Sequence, residues 1–171
     1  MKGLSGSRLL ILIAAVALLW LFLGRSAGGP KLGTQAPDFT LSDLSGRKVR
    51  LSEFRGRVVL LDFWATWCES CQTEIPALKE IHSNYGGERF ILLAAAVDQG
   101  DPADIARFAQ AQALPYAVLL GDYPTARAYG VSGIPTKYLI GPDGVMRRRY
   151  IGEADIATLS ADIQALLENK S

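Results

Sequence analysis

The sequence predicts an α/β domain built on a mixed sheet that is covered on both faces, preceded by one transmembrane helix. Two continuous apolar runs, "RVVLLDFW" (57–64) and "RFILLAAAVD" (89–98), are too uniformly apolar for half-exposed strands and read as buried ones. Helical patterns alternate with them, which is the signature of parallel strand–helix–strand units. A turn-centred pair of strands near the C-terminus adds an antiparallel part to the sheet.

The elements follow in chain order. "LLILIAAVALLWLFLG", Leu9 to Gly24, is preceded by Lys2 and Arg8 and is 16 residues long, extendable through Leu4 to Ser7. A signal-peptide cleavage site needs small residues at −3 and −1. The best local candidate, Arg25-Ser26-Ala27, places arginine at −3. The segment is therefore read as an uncleaved anchor, with Trp20 near its outer boundary. The basic residues ahead of it predict that everything after Gly24 crosses to the extracytoplasmic side. Residues 1–24 are thus the expected membrane anchor, 25–36 a linker rich in small residues, and 37–171 the domain.

"FTLSDLSGRKVRLSEF" (39–54) predicts a hairpin turning at "SDLSG". Ile75, Leu78, Ile81 and Tyr85 follow helical spacing over Glu69 to about Tyr85. "DPADIARFAQAQ" (101–112) is a helix opened by Asp101 and Pro102. "YAVLLGD" is a short strand, and "YPTARAYGV" a short helix closed by Gly130. "TKYLIGPDGVMRRRYIG" is a strand–turn–strand unit, and "EADIATLSADIQALLENK" an amphipathic C-terminal helix. No internal repeat is visible.

Charge excludes one class of partner. Residues 30–171 carry 15 of the 18 basic residues and all 17 acidic ones, a net −2, so nothing points to nucleic acid. Arg147, Arg148 and Arg149 read as a solvated strand edge.

The chain has two cysteines, Cys68 and Cys71, placed directly behind the first buried strand. A structural disulfide across two intervening residues restrains the unfolded chain very little. Zinc and iron–sulfur sites need about four ligands, which two cysteines and the single His82 do not supply. Covalent haem attachment requires histidine after the second cysteine, where Gln72 stands. A dithiol that opens and closes remains. A helix beginning near Cys68 keeps both sulfurs on one face, within disulfide reach. Cys68 then sits at the helix N-terminus, where free N–H groups stabilise a thiolate and make it the attacking sulfur; Cys71, one turn inside, resolves.

"VVLLDFWATWCESC" resembles the active-site segment of the thioredoxin superfamily. More narrowly, the stretch from "GTQAPDF" to "CQTEIPAL", together with "VSGIPTKYLIGPDG", resembles membrane-anchored TlpA/ResA-like thiol-disulfide oxidoreductases, over about residues 33–168. The resemblance implies a thioredoxin fold with an N-terminal β-hairpin extension and a protein-disulfide reductase that uses no cofactor beyond the Cys68–Cys71 pair. It implies extracytoplasmic clients, with apocytochrome c typical of the family, and a membrane electron donor that re-reduces the dithiol. Pro135 in "GIPT" matches the family's cis-proline, preceded here by Ile134, in the loop that holds the substrate cysteine segment.

Asp62 stands alone in an apolar strand, where burial should raise its pKa and suit it to proton exchange with Cys71. Glu74 matches the acidic position of the family pattern C-x-x-E-x-P, in which Pro76 should kink the helix. Trp67 is expected to form a contact surface beside the sulfurs, Trp64 to be core, and His82 to be structural. Asp62 and Glu74 are expected to add negative charge with no cation to balance it.

Two other functions share parts of this pattern. "APDFTLSDLSG" also occurs in peroxiredoxins, but those carry Thr or Ser three residues before the reactive cysteine, where this chain has Ala65. Copper carriers of the same fold use a wider cysteine spacing and a distant histidine, whereas His82 lies 11 residues beyond Cys71.

Overall fold

The computed structural model describes residues 29–168. The expected anchor over 9–24 lies outside them. Among the described residues, no helix is long and apolar enough to cross a membrane.

The chain forms β1 (Thr40–Asp43), β2 (Lys48–Arg50), a 3-10 turn (Leu51–Phe54), β3 (Val58–Trp64), α1 (Glu69–Tyr85), β4 (Phe90–Ala96) and α2 (Pro102–Ala111). It continues through β5 (Ala117–Leu120), α3 (Tyr123–Ala128), β6 (Thr136–Ile140), β7 (Met146–Ile151) and α4 (Ile156–Glu168). These strands make one sheet in the order β2-β1-β5-β4-β3-β6-β7. β3, β4 and β5 run parallel, and the flanking pairs are antiparallel.

β3 and β4 occupy the middle of the sheet, and apart from Asp62 their residues are apolar on both sides because both sides are packed. Val58, Leu60, Leu61, Phe63 and Phe90 have no exposed surface. Two successive right-handed crossovers in the same direction put α1 and α2 on one face. There Leu60, Trp64, Leu78, Ile105 and Leu139 meet Leu159 and Ile163 of α4. The opposite face is smaller. Val59, Leu61, Phe63, Tyr129 and Tyr138 pack there against Phe39, Leu41 and Leu51 from the N-terminal hairpin and 3-10 turn.

Local signals account for the element ends. Asp101 and Asp122 cap α2 and α3 through their carboxylates, each with proline at the following helix start. Gly130 closes the α3 turn with φ 63°, a conformation that favours glycine. α4 starts at Ile156, three residues later than the amphipathic pattern suggests, because Asp155 sits ahead of it as a cap, accepting from Thr158 N at 2.9 Å.

The linker expected over 25–36 ends earlier than anticipated. Gly33 N donates to Met146 O, Met146 N to Thr34 O and Ala36 N to Gly144 O, at 2.8–3.0 Å, so Gly33 to Ala36 lie along the start of β7. Small polar residues gave this segment no apolar period, yet its backbone covers an open strand edge.

The arginine triplet on β7 is only partly a solvated edge. Arg147 pairs with Asp143 at 2.7 Å and Arg148 with Asp162 at 3.2 Å. Arg149 is half-buried, donates to Gly130 O at 2.9 Å and lies 5.6 Å from the Tyr138 ring centroid.

Candidate active site

The site forms where β3 ends and α1 begins. The backbone leaves the strand at Trp64, turns through Ala65–Trp67, and enters the helix with Cys68 as its N-cap. Asp98, just past β4, fixes that turn: its carboxylate accepts from Thr66 N at 3.1 Å and from Thr66 Oγ1 at 2.5 Å. Gln72 Nε2 closes the other side by donating to Thr66 O at 2.6 Å. Neither Thr66 nor Asp98 stands out in the sequence, and Gln72 does so only as a residue that is not histidine. Short-range patterns do not reveal that a carboxylate 32 residues away meets the loop.

Cys68 and Cys71 are joined as a disulfide, with Cα atoms 5.2 Å apart. The Cys68 sulfur also accepts the Cys71 N–H at 3.2 Å and lies 3.5 Å from Ser70 Oγ. It therefore takes the place of a cap side chain at the positive end of α1. Exposure does not separate the two sulfurs' residues, which are 6% and 4% accessible. Position on the helix does.

Where β3, β6 and α1 meet, three charged side chains are buried together. Asp62 lies on β3, Glu74 on α1, and Lys137 on β6, directly opposite Asp62 in the strand register. Lys137 Nζ is 2.5 Å from Glu74 Oε2 and 3.6 Å from Asp62 Oδ1. Glu74 Oε1 also accepts from Ala154 N at 2.7 Å. The longer distance is within ion-pair reach but beyond a hydrogen bond, so Asp62 Oδ1 has no hydrogen-bond partner among the described residues.

Burial pushes the Asp62 carboxyl up to about 6; the Lys137 charge holds it down and the Glu74 charge adds to the rise. Tyr116, mostly buried, has its hydroxyl pKa raised by burial first and then by the Asp62 charge.

The expectation that Asp62 and Glu74 lack a balancing cation is thus corrected: Lys137 is that cation. Like Asp62, the lysine of "TKYLI" is a charge inside an apolar strand. Its pairing with Asp62 depends on β6 lying beside β3, which no local pattern specifies.

The remaining expected residues divide between the groove beside Trp67 and the core. The Ile134–Pro135 bond is cis, and Thr136 Oγ1 donates to Gly133 O at 2.7 Å within the same loop. Trp67 is 70% exposed, an unusual state for a tryptophan, and Tyr123 at the start of α3 is 75% exposed. Both border an open groove of about 310 Å³ that also touches Ile134, Val131, Asp98 and Asp122. Trp64 is core, 5.5 Å from the Phe108 ring. His82 packs against Tyr116 near the far end of α1, about 16 Å along the helix axis from Cys71. That separation removes it from any shared metal site with the sulfurs. Pro76 lies inside α1, which continues to Tyr85.

A mixed-sheet α/β domain with a helix-capping dithiol beside a cis-proline loop is a thioredoxin-fold, disulfide-handling protein. The model of the AhpC/TSA family matches residues 32–149. The thiol-disulfide oxidoreductase ResA of Geobacillus thermodenitrificans is 37% identical over 123 residues, covering 71% of this chain and 70% of that one. A ResA of Bacillus cereus is 33% identical over 162 residues, covering 92% of both. Among solved structures, a Chlorobium tepidum protein assigned to the thiol:disulfide interchange proteins of the DsbE type matches with a TM-score of 0.75. It is 33% identical over 80% of this chain and 98% of that one. The chain belongs to the AhpC/TSA family and, within it, to the ResA-like thiol-disulfide oxidoreductases. It is a thioredoxin-like protein-disulfide reductase.

Proposed function

We propose that the protein reduces disulfides of extracytoplasmic client proteins, apocytochrome c among them, while tethered to the membrane through residues 9–24. The observation that supports this reading is the helix-capping Cys68 beside a groove with two exposed aromatic side chains, a surface suited to an extended polypeptide carrying a disulfide.

The Cys68 thiolate attacks one sulfur of the client disulfide, forms a mixed disulfide and expels the client's other sulfur as a thiolate. The backbone of the Ile134–Pro135 loop and the ring of Trp67 hold the client segment during this step. Cys71 then loses its proton to the Asp62 carboxylate and attacks Cys68, regenerating the Cys68–Cys71 disulfide and releasing the second client sulfur. The client disulfide gains two electrons and two protons; the enzyme dithiol loses them. No cofactor beyond the dithiol enters these steps. A membrane electron donor returns the electrons, because an extracytoplasmic compartment does not keep thiols reduced by itself.

A peroxidase reading fares worse at the residue level: Ala65 offers no hydroxyl in the position from which peroxiredoxins bind peroxide.

One experiment tests chemistry and location together. Cys71→Ser, expressed in cells and run on non-reducing gels, should accumulate mixed disulfides with extracytoplasmic proteins in the membrane fraction; Cys68→Ser should accumulate none. Complexes trapped through Cys71 in the Cys68→Ser variant would reverse the sulfur roles. A soluble enzyme beginning near Gly28, or cytoplasmic partners only, would overturn the location.

A further inference from the structure

The buried triad contains one residue whose role the dithiol chemistry does not account for. Lys137 has no exposed surface and stands between two carboxylates at unequal distances, 2.5 Å from Glu74 and 3.6 Å from Asp62. Burying an ammonium group is costly unless it is paired, and a lone Asp–Glu pair at this depth would be costlier still. The sheet also fixes its position, because Lys137 faces Asp62 across the β3–β6 ladder.

We infer that Lys137 is a positioning residue that divides the two carboxylates, anchoring Glu74 in a structural ion pair and leaving Asp62 as the free proton acceptor for Cys71. Glu74 has both oxygens engaged, one by the Lys137 ammonium and one by the Ala154 N–H, so its charge is held by a direct ion pair and a backbone donor. Asp62 Oδ1 has the cation nearby but no hydrogen bond among the described residues, so it keeps an open acceptor. A strand lysine thereby decides which of two adjacent acids performs proton transfer.

The other ionisable groups packed here are few among the described residues. α1 contributes Cys71 and Glu74, the segment before β5 contributes Tyr116, and β7 contributes Tyr150 opposite Lys137. Tyr150 Oη is turned away, donating to Asp162 of α4 at 2.7 Å, and Arg148 pairs with that same aspartate. Lys137 is therefore the cation of the cluster, and its charge is what opposes the rise of the Asp62 carboxyl.

The inference rests on the reading of Cys71 as the resolving sulfur, and its test separates the two. The reduced full-length protein in detergent is mixed with 5,5′-dithiobis(2-nitrobenzoate) in a stopped-flow instrument across a pH series. The first thionitrobenzoate released reports attack by Cys68, and the second reports resolution by Cys71.

Asp62 must be ionised to accept the proton, so the acid limb of the second phase follows its pKa. In Lys137→Met, loss of the opposing cation should move that limb up by about one pH unit. In Glu74→Gln, loss of the like charge frees Lys137 for Asp62, and the limb should move down. Lys137→Arg should leave the limb near that of the unaltered protein. Shifts of opposite sign from two adjacent residues are not what a loss of packing produces.

An unmoved limb in Lys137→Met overturns the inference. If that variant does not fold, an unmoved or raised limb in Glu74→Gln overturns it. A second phase that is absent in the unaltered protein refutes the resolving role of Cys71 instead.

Discussion

Asp62 costs the fold stability at neutral pH, and the cost can be placed on the pH axis. Its carboxyl titrates at about 6 in the folded protein against an ordinary 3.8, because burial outweighs the neighbouring Lys137 charge. A raised carboxyl favours the folded state below its unfolded value, and that advantage disappears as pH rises through about 6. The displacement corresponds to roughly 3 kcal/mol against the folded state once Asp62 is ionised. Asp62→Asn keeps the shape and leaves Lys137 paired with Glu74. The oxidised variant should therefore be more stable than the unaltered protein at pH 8, with the difference vanishing toward pH 4. Denaturant unfolding at several pH values checks this, and parallel stability curves for the two proteins would contradict it. At this scale the sequence was readable for residues that break a pattern, two lone cysteines and an acid in an apolar strand, whereas Pro135 stood out only through the family resemblance. Lys137 breaks its strand in the same way, but its meaning depends on a neighbour that only the sheet supplies.

The elements were readable wherever local chemistry sets their ends. α1 runs from Glu69 to Tyr85, as its apolar spacing indicates, and α2 begins at the Asp101–Pro102 cap. The hairpin at 39–54 and the turn at "GPDG" form for equally local reasons. What local pattern could not give is the meeting of distant segments: Gly33–Ala36 on β7, and Asp98 on the turn ahead of Cys68. The second of these carries a prediction. Asp98 fixes the Thr66 amide and hydroxyl, and hydrogen bonds to an ionised acceptor contribute about 1.5–3 kcal/mol each. Asp98→Ala should destabilise the domain by about 2 kcal/mol, taking the shared acceptor as one such interaction. It should also speed hydrogen exchange at the Thr66 amide more than at the amides of β4. Unchanged protection at Thr66 would mean that the turn is held by Gln72 and its own backbone instead.

The direction of electron flow belongs to the whole molecule, because a reduction potential compares two complete states of it. Oxidants of this kind gain their power from a strongly stabilised thiolate in the reduced form. Several features here favour the Cys68 thiolate: the end of the α1 dipole, the Cys71 N–H, the Ser70 hydroxyl and the buried Lys137 cation. Against them stand the exposed Glu69 carboxylate next to the sulfur and two buried carboxylates that share one lysine. The lysine weakens the opposition that two uncompensated acids would offer, yet it is engaged by Glu74 and is not free to pair with sulfur. The balance places the potential above that of a protein with no such cation and well below that of a strong oxidase. The expected value lies between roughly −270 mV, as in thioredoxin, and roughly −180 mV, as in a disulfide isomerase. Equilibrating the full-length protein in glutathione and dithiothreitol buffers, with the dithiol fraction read by alkylation, measures it. A value above about −180 mV would show that the Cys68 thiolate is stabilised more strongly than these charges allow. Lys137, rather than the helix end, would then be the first group to remove, since its loss should lower the potential while leaving the α1 cap intact.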